Sequence, residues 1–277
     1  MSLRMKTEKA KSFLHDFHNV AENEIRAFRK NVRRHFRHIF EGRDRKIWRP
    51  ENFTRNSVFT LHGYMQGEAA LMDLEDFLDE KGFNVDNTPY PFYRDLRFVE
   101  DRLTQRIIRT HEITGRRADI IGHSTGALIA VALACRIPEH VDKVISIAIP
   151  ESGSEFAIPV WFLQSGRQLL PWNNYVKKLL KVPFPEEVNL YVVHGNWDPL
   201  VTHKFSFFPK GAKNIHRVRV KSAGHLSLIE SEIFPLIYDI LSGRFKGGDE
   251  VFEYDPWWEK DMDPAVYPAD LKAASGG

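Results

Sequence analysis

The 277-residue sequence predicts an α/β fold: a mostly parallel sheet of about six strands flanked by helices. Three observations carry this. Short apolar runs such as Ala118–Ile121, Val144–Ile149 and Leu190–Val193 are near-continuous, the pattern of strands buried on both faces. Stretches with helical periodicity alternate with them, as crossover connections require. Composition is ordinary for a globular chain, 43% hydrophobic and 27% charged, and the length suits one α/β domain with appendages.

Each element follows in order. From Phe13 to Phe40 apolar residues recur every three or four positions among charged ones, predicting an amphipathic helix or helix pair that breaks at Glu41-Gly42-Arg43-Asp44. Ser57–Leu61 reads as the first strand and Glu68–Lys81 as a helix closed by Gly82. Asn84–Tyr90 reads as a strand, and Asp95–His111 as a strongly periodic helix. Ala118–Ile121 is a buried strand followed by an apolar helix over Ala127–Cys135. Val144–Ile149, Leu190–Val193 and Arg217–Val220 complete the strands. Leu226–Leu241 is expected as a long final helix kinked at Pro235.

Three regions are expected: a basic helical arm over 1–50, a catalytic body over 51–246, and an acidic tail over 247–277. The arm holds 14 Lys/Arg against 6 Asp/Glu, the tail 2 against 8, which leaves the body neutral. A neutral body gives no electrostatic reason to expect nucleic acid. The lone Cys135 rules out a disulfide framework and reads as a small buried hydrophobe in a reducing compartment. No apolar run reaches the roughly 18 residues of a membrane span, and the N-terminus lacks a signal-peptide core. The expected location is the cytoplasm.

Right-handed crossovers bring the strand C-termini to one edge, where ligands bind in such sheets. The stretch Gly122-His123-Ser124-Thr125-Gly126 stands there, between a strand and a helix. G-x-S-x-G alone arises by chance in about one chain in ten of this length. Its setting matters more: a nucleophile on a tight strand-to-helix turn needs small residues two places to either side. The plain alternative is a serine capping a helix.

A serine nucleophile needs a base, and the base an orienting acid. Asp198 lies in the loop after Leu190–Val193, and His225 follows Arg217–Val220. The order Ser124, Asp198, His225 is the one such folds use. The competing readings are a turn aspartate before Pro199 and a histidine near a helix start. His194 precedes its loop, His203 follows the acid too closely, and alternation points His123 away from the site. An oxyanion hole would take one backbone N–H from Thr125 and a second from Tyr64, in the turn that His62-Gly63 positions. No metal or cofactor is expected, since no ligand spacing is present.

On these segments the chain resembles the α/β-hydrolase superfamily, and within it the bacterial lipases and carboxylesterases. The resemblance covers Ser57–Leu241, roughly two-thirds of the chain. It rests on His62-Gly63, Gly122–Gly126, Gly195–Asp198 and Gly224-His225 in order, and on Pro150–Ala157, similar to a Pro-x-x-Gly-Ser-x-x-Ala stretch of true lipases. The resemblance implies that a single bulky residue after His-Gly, here Tyr64, accompanies medium or long acyl chains. The family's first two strands have no counterpart ahead of Ser57, where basic helix stands.

The segment 157–187 reads as a cap or lid, rich in Trp161, Phe162, Leu169, Leu170 and Trp172 beside Lys177, Lys178 and Lys181. An apolar cap over a serine site suggests a small-molecule or lipid ester as substrate. The alternative is a helix pair packed for structure alone. The expected activity is carboxylic ester hydrolysis. Acyl transfer or thioester cleavage by the same triad, and a catalytically silent binding scaffold, are the competing functions. The arm has three open arrangements: packing on the body, forming a homodimer, or lying peripherally on an anionic membrane.

Overall fold

Among the described residues, seven strands, every neighbouring pair parallel, make the frame. The computed structural model describes residues 3–41, 55–87, 89–179, 181–201, 213–245 and 250–253. The strands are β1 (Ser57–Leu61), β2 (Asn84–Asn87), β3 (Ala118–His123), β4 (Val141–Ile147), β5 (Asn189–Gly195), β6 (Ile215–Lys221) and β7 (Glu250–Glu253), in the order β2-β1-β3-β4-β5-β6-β7. The helices are α1 (Leu3–Glu41), α2 (Met72–Glu80), α3 (Leu96–Thr114), α4 (Thr125–Arg136), α5 (Gln164–Gln168), α6 (Asn174–Leu179) and α7 (Phe234–Leu241).

Period-two alternation along the strands builds two cores. Phe59, Leu61, Ile120, Val144 and Val192 meet α3, α4 and the 157–176 segment on one face. Val58, Ile121, Ile145, Tyr191 and Val218 meet α2 and α7 on the other. Helix α4 is buried from Thr125 to Ala134, which explains why its sequence is apolar all round. The chain reverses direction across the sheet between β1 and β3, so the loops after these two strands open a crevice at the C-terminal edge.

Three expectations change. The final helix is shorter: residues 227–233 form 3-10 turns, and Pro235 stands in the first turn of α7 rather than kinking it. Proline suits that position because its missing N–H has no partner to lose there. The sheet gains a seventh strand, since residues 250–253 of the expected tail pair with Val218–Lys221; residues 254–277 lie outside the described residues. Cys135 is only partly buried against the core, where burial pushes its thiol up to about 11.

The arm takes one of its open arrangements, packing on the body. It is one 39-residue helix, docked through its polar side. Asn23 and Arg34 are buried beside Val20 and Ala27, whereas Phe17, Ile25, Phe28, Val32 and Phe36 are 38–60% exposed. The physical reason is the surface it meets. Loop backbone and carboxylates at the sheet edge need hydrogen-bond partners, and α1 supplies them: Arg34 donates to Glu230 (2.7 Å) and Asp73 (2.6 Å), and Arg26 to Glu232 (2.8 Å).

Candidate active site

Strand β3 runs directly into Ser124, whose backbone adopts φ 53°, ψ −117° before α4 begins at Thr125. A non-glycine residue in that region is strained and persists only where its surroundings impose it. The imposition is visible. Ser124 N–H donates to Ile147 O (2.8 Å). A Cβ on Gly122 would stand 2.4 Å from Gly126 O, and one on Gly126 would stand 2.2 Å from Leu61 O. The two glycines therefore let α4 start flush against β1 and the turn, the steric need read from the spacing.

Strand β5 ends at Gly195, where a Cβ would meet Ala223 O at 2.2 Å. This close approach brings the loops after β5 and β6 together. Asp198 Oδ1 accepts the N–H groups of Leu200 (2.8 Å) and Val201 (2.9 Å), and its Oδ2 pairs with His225 Nδ1 at 2.7 Å. The Asp198 side chain is fully buried and that of His225 6% exposed. A carboxylate so fixed holds the imidazole in the tautomer that leaves Nε2 as a proton acceptor.

The loop after β1 stands against the nucleophile turn: a Cβ on Gly63 would lie 3.2 Å from Ser124 Cβ. Its shape is set by Gln66, whose Oε1 accepts Gly63 N–H (2.7 Å), and by Met65 at φ 55°. His62 is buried, stacked on Tyr90 at 4.1 Å, and its carbonyl accepts the Tyr90 hydroxyl. Burial lowers its pKa, keeping the ring neutral. Thr125, buried at the head of α4, carries an amide that a helix leaves without an internal partner. The Tyr64 ring packs edge-on to Phe92 (5.6 Å), and a Cβ on Gly166 would approach its hydroxyl to 3.0 Å, so the segment after β4 reaches over this loop.

His123 does not point away from the site, as alternation suggested. Its ring lies 4.8 Å from that of His225; Nε2 donates to His225 O (3.1 Å), and Nδ1 lies 3.1 Å from Gln66 Oε1. It bridges the loops after β1 and β6 behind Ser124. Burial first, then the neighbouring His225, pushes its pKa down to about 3, which makes it a neutral strut rather than a second base.

Sequence reasoning also missed two residues of α1. Glu24 accepts the N–H groups of Leu226 (2.9 Å) and Ser227 (2.8 Å), and His35 Nε2 accepts that of Gly67 (3.2 Å). No local pattern marks them, because their partners lie 32 to 203 residues away. Among the described residues no group of three His, Cys, Asp or Glu is placed to hold a metal ion, and no helix is long and apolar enough to cross a membrane.

The Esterase family model matches residues 76–228, just over half of the chain. No curated protein gives a significant sequence match. Similar solved structures include the mature lipase BlEst2 of Bacillus licheniformis, 15% identical over 70% of this chain and 95% of that one, with a TM-score of 0.56. Lipase B of Aspergillus fumigatus is 14% identical over 79% of this chain and 57% of its own, with a TM-score of 0.60. Est1E of Butyrivibrio proteoclasticus, solved with ferulic acid bound, is 14% identical over 72% and 91%, with a TM-score of 0.53. At these identities the likeness is one of fold. The strained serine turn, the parallel sheet and the matched segment agree: the chain has the α/β-hydrolase fold and belongs to the Esterase family.

Proposed function

We propose that this chain is a serine hydrolase that cleaves carboxylic esters through an acyl-enzyme. His225 Nε2 takes the Ser124 proton as Oγ attacks the ester carbonyl. The N–H groups of Tyr64 and Thr125 stabilise the oxyanion. The C–O bond then breaks, and the imidazolium returns its proton to the leaving alcohol. Water repeats the sequence to release the acid. Asp198 holds the imidazole throughout.

The observation that carries the reading is the Ser124 backbone at φ 53°, ψ −117° on the same sheet edge as the 2.7 Å His225–Asp198 pair. Strain of this kind is retained at reacting centres. An acyl group is the substrate class best supported. The segment after β4 turns Leu169, Leu170, Tyr175 and Val176 onto the body and leaves Trp161, Phe162 and Trp172 more than 60% exposed. It acts as an apolar cap beside Tyr64.

A panel of p-nitrophenyl esters from short to long acyl chain tests the proposal, with Ser124→Ala as control and product analysis separating hydrolysis from acyl transfer. Hydrolysis that depends on Ser124 and favours medium or long chains is expected. Activity surviving in Ser124→Ala removes the serine from its role.

A further inference from the structure

We infer that α1 belongs to the catalytic apparatus, with Glu24 as a positioning residue for His225. The inference rests on the triad reading above, and concerns a helix that lies outside the matched family segment.

The stretch that carries His225 has little regular structure of its own. It leaves β6 at Lys221, passes Ser222 in the left-handed region (φ 55°), and enters a 3-10 turn at Ser227. Its position is therefore set by single hydrogen bonds. From the body come His123 Nε2 to His225 O (3.1 Å), Trp197 N to Ala223 O (3.3 Å) and Asp198 to the imidazole itself. Within the loop, Gly224 N–H donates to Ser227 Oγ (2.9 Å). Three more come from α1. Asn23 Nδ2 donates to Ser222 O (2.9 Å), and both Glu24 oxygens accept from consecutive amides, Leu226 and Ser227.

A carboxylate taking two successive amides makes charge-assisted bonds and fixes both peptide planes. The first of these planes is the one that leaves His225. Glu24 therefore limits rotation of the backbone that carries the base, while Asp198 limits rotation of the ring. The fit is close: a Cβ on Gly224 would fall 2.6 Å from Glu24 Cγ and Cδ, so glycine before the histidine is what admits the carboxylate. Eleven residues further along the helix, about 16.5 Å, His35 accepts Gly67 N–H at the end of the loop that carries Tyr64. One rigid rod thus ties the two loops whose spacing a triad and an oxyanion hole must keep.

Docking of α1 does not depend on Glu24, since Arg34 and Arg26 anchor the helix through Glu230, Asp73 and Glu232. Removing the carboxylate should loosen the His225 loop and leave the helix in place. Displacing a catalytic group by about 1 Å costs on the order of 100-fold in rate. Glu24→Ala is expected to lower kcat for a p-nitrophenyl ester by roughly 10- to 100-fold, with KM within about twofold. Glu24→Gln, which keeps the shape and one strong acceptor, should recover part of the loss. Asn23→Ala, which touches the loop further from the histidine, should have the smaller effect. Thermal melts of every variant confirm that it is folded at the assay temperature. Should Glu24→Ala be poorly folded, Glu24→Gln carries the test, with a kcat loss at unchanged KM as the expected result. A folded Glu24 variant with wild-type kcat, or one in which only KM moves, overturns the inference and leaves the triad reading standing. A wild type that is inert and unlabelled by a fluorophosphonate overturns both.

Discussion

Replacing Arg34 with alanine is expected to unseat α1 in a pH-dependent way. The guanidinium is 5% exposed and its partner Glu230 3%, with Nη2 2.7 Å from Oε2, while Nε meets the half-exposed Asp73 at 2.6 Å. Lys30 reaches the same Oε2 at 3.5 Å. Breaking a buried pair by removing one partner costs about 3–5 kcal/mol, because the other charge is left buried. The exposed side of Asp73 makes its bond worth under about 1 kcal/mol. With Lys30 still nearby, the low end applies, about 3 kcal/mol, or about 6–12 °C in Tm for a chain of this size. Burial already raises the Glu230 carboxyl above its ordinary range, against the pull of Arg34 and then Lys30; without Arg34 it rises further. A carboxyl raised on folding contributes stability below its unfolded pKa and loses it as pH climbs through the folded one. The deficit of Arg34→Ala should therefore be smaller at pH 5 than at pH 8. Urea unfolding at the two pH values reads this directly, and Arg34→Met/Glu230→Met should regain most of the loss. A deficit under about 1 kcal/mol, equal at both pH values, would refute the view that this pair seats the helix.

Three further outcomes are expected. Asp198→Asn keeps an oxygen for the Leu200 and Val201 amides but disturbs the His225 tautomer; kcat should fall by about 10³- to 10⁴-fold with little change in Tm, and a wild-type kcat would remove Asp198 from the triad. Gly126→Ala forces a methyl to 2.2 Å from Leu61 O and should cost about 3 kcal/mol or more in urea unfolding; unchanged stability would contradict the steric account of the turn. Glu151 is 2% exposed, with no hydrogen-bond partner for either carboxylate oxygen among the described residues, and burial, partly offset by Arg217, pushes it up to about 7. Its folded pKa is raised, so stability present at low pH is lost as pH rises through about 7. Glu151→Gln should then melt higher than wild type at pH 8, by up to about 3 kcal/mol, and match it near pH 4; the reverse order would refute the assignment.

Much of the site was legible before any tertiary contact was known. The apolar runs around Ser124, the flanking Gly122 and Gly126, and the placement of Asp198 and His225 after strands are local patterns. They follow from backbone sterics and from the two- and 3.6-residue periods, which act within a few residues. Strand ends were displaced by a few residues because pairing to neighbours, not local composition, decides where a ladder stops. Pro235 was misplaced for a similar reason: propensity marks a proline as a helix disturbance, while the 3-10 turns that follow His225 decide that the helix starts there.

The amphipathic arm marks the division most clearly. Its sequence determined a helix and which side of it is apolar, since both depend on spacing along one chain. Which side meets the body depended on what waits at the sheet edge. That surface presents loop amides, a carbonyl and carboxylates, so Asn23, Glu24 and Arg34 turn inward while Phe17, Phe28 and Phe36 turn out. The same holds for His123, whose partners come from loops 57 and 102 residues distant. Hydrogen bonds across such separations exist only once the sheet has brought the loops together, and only the folded chain could reveal them.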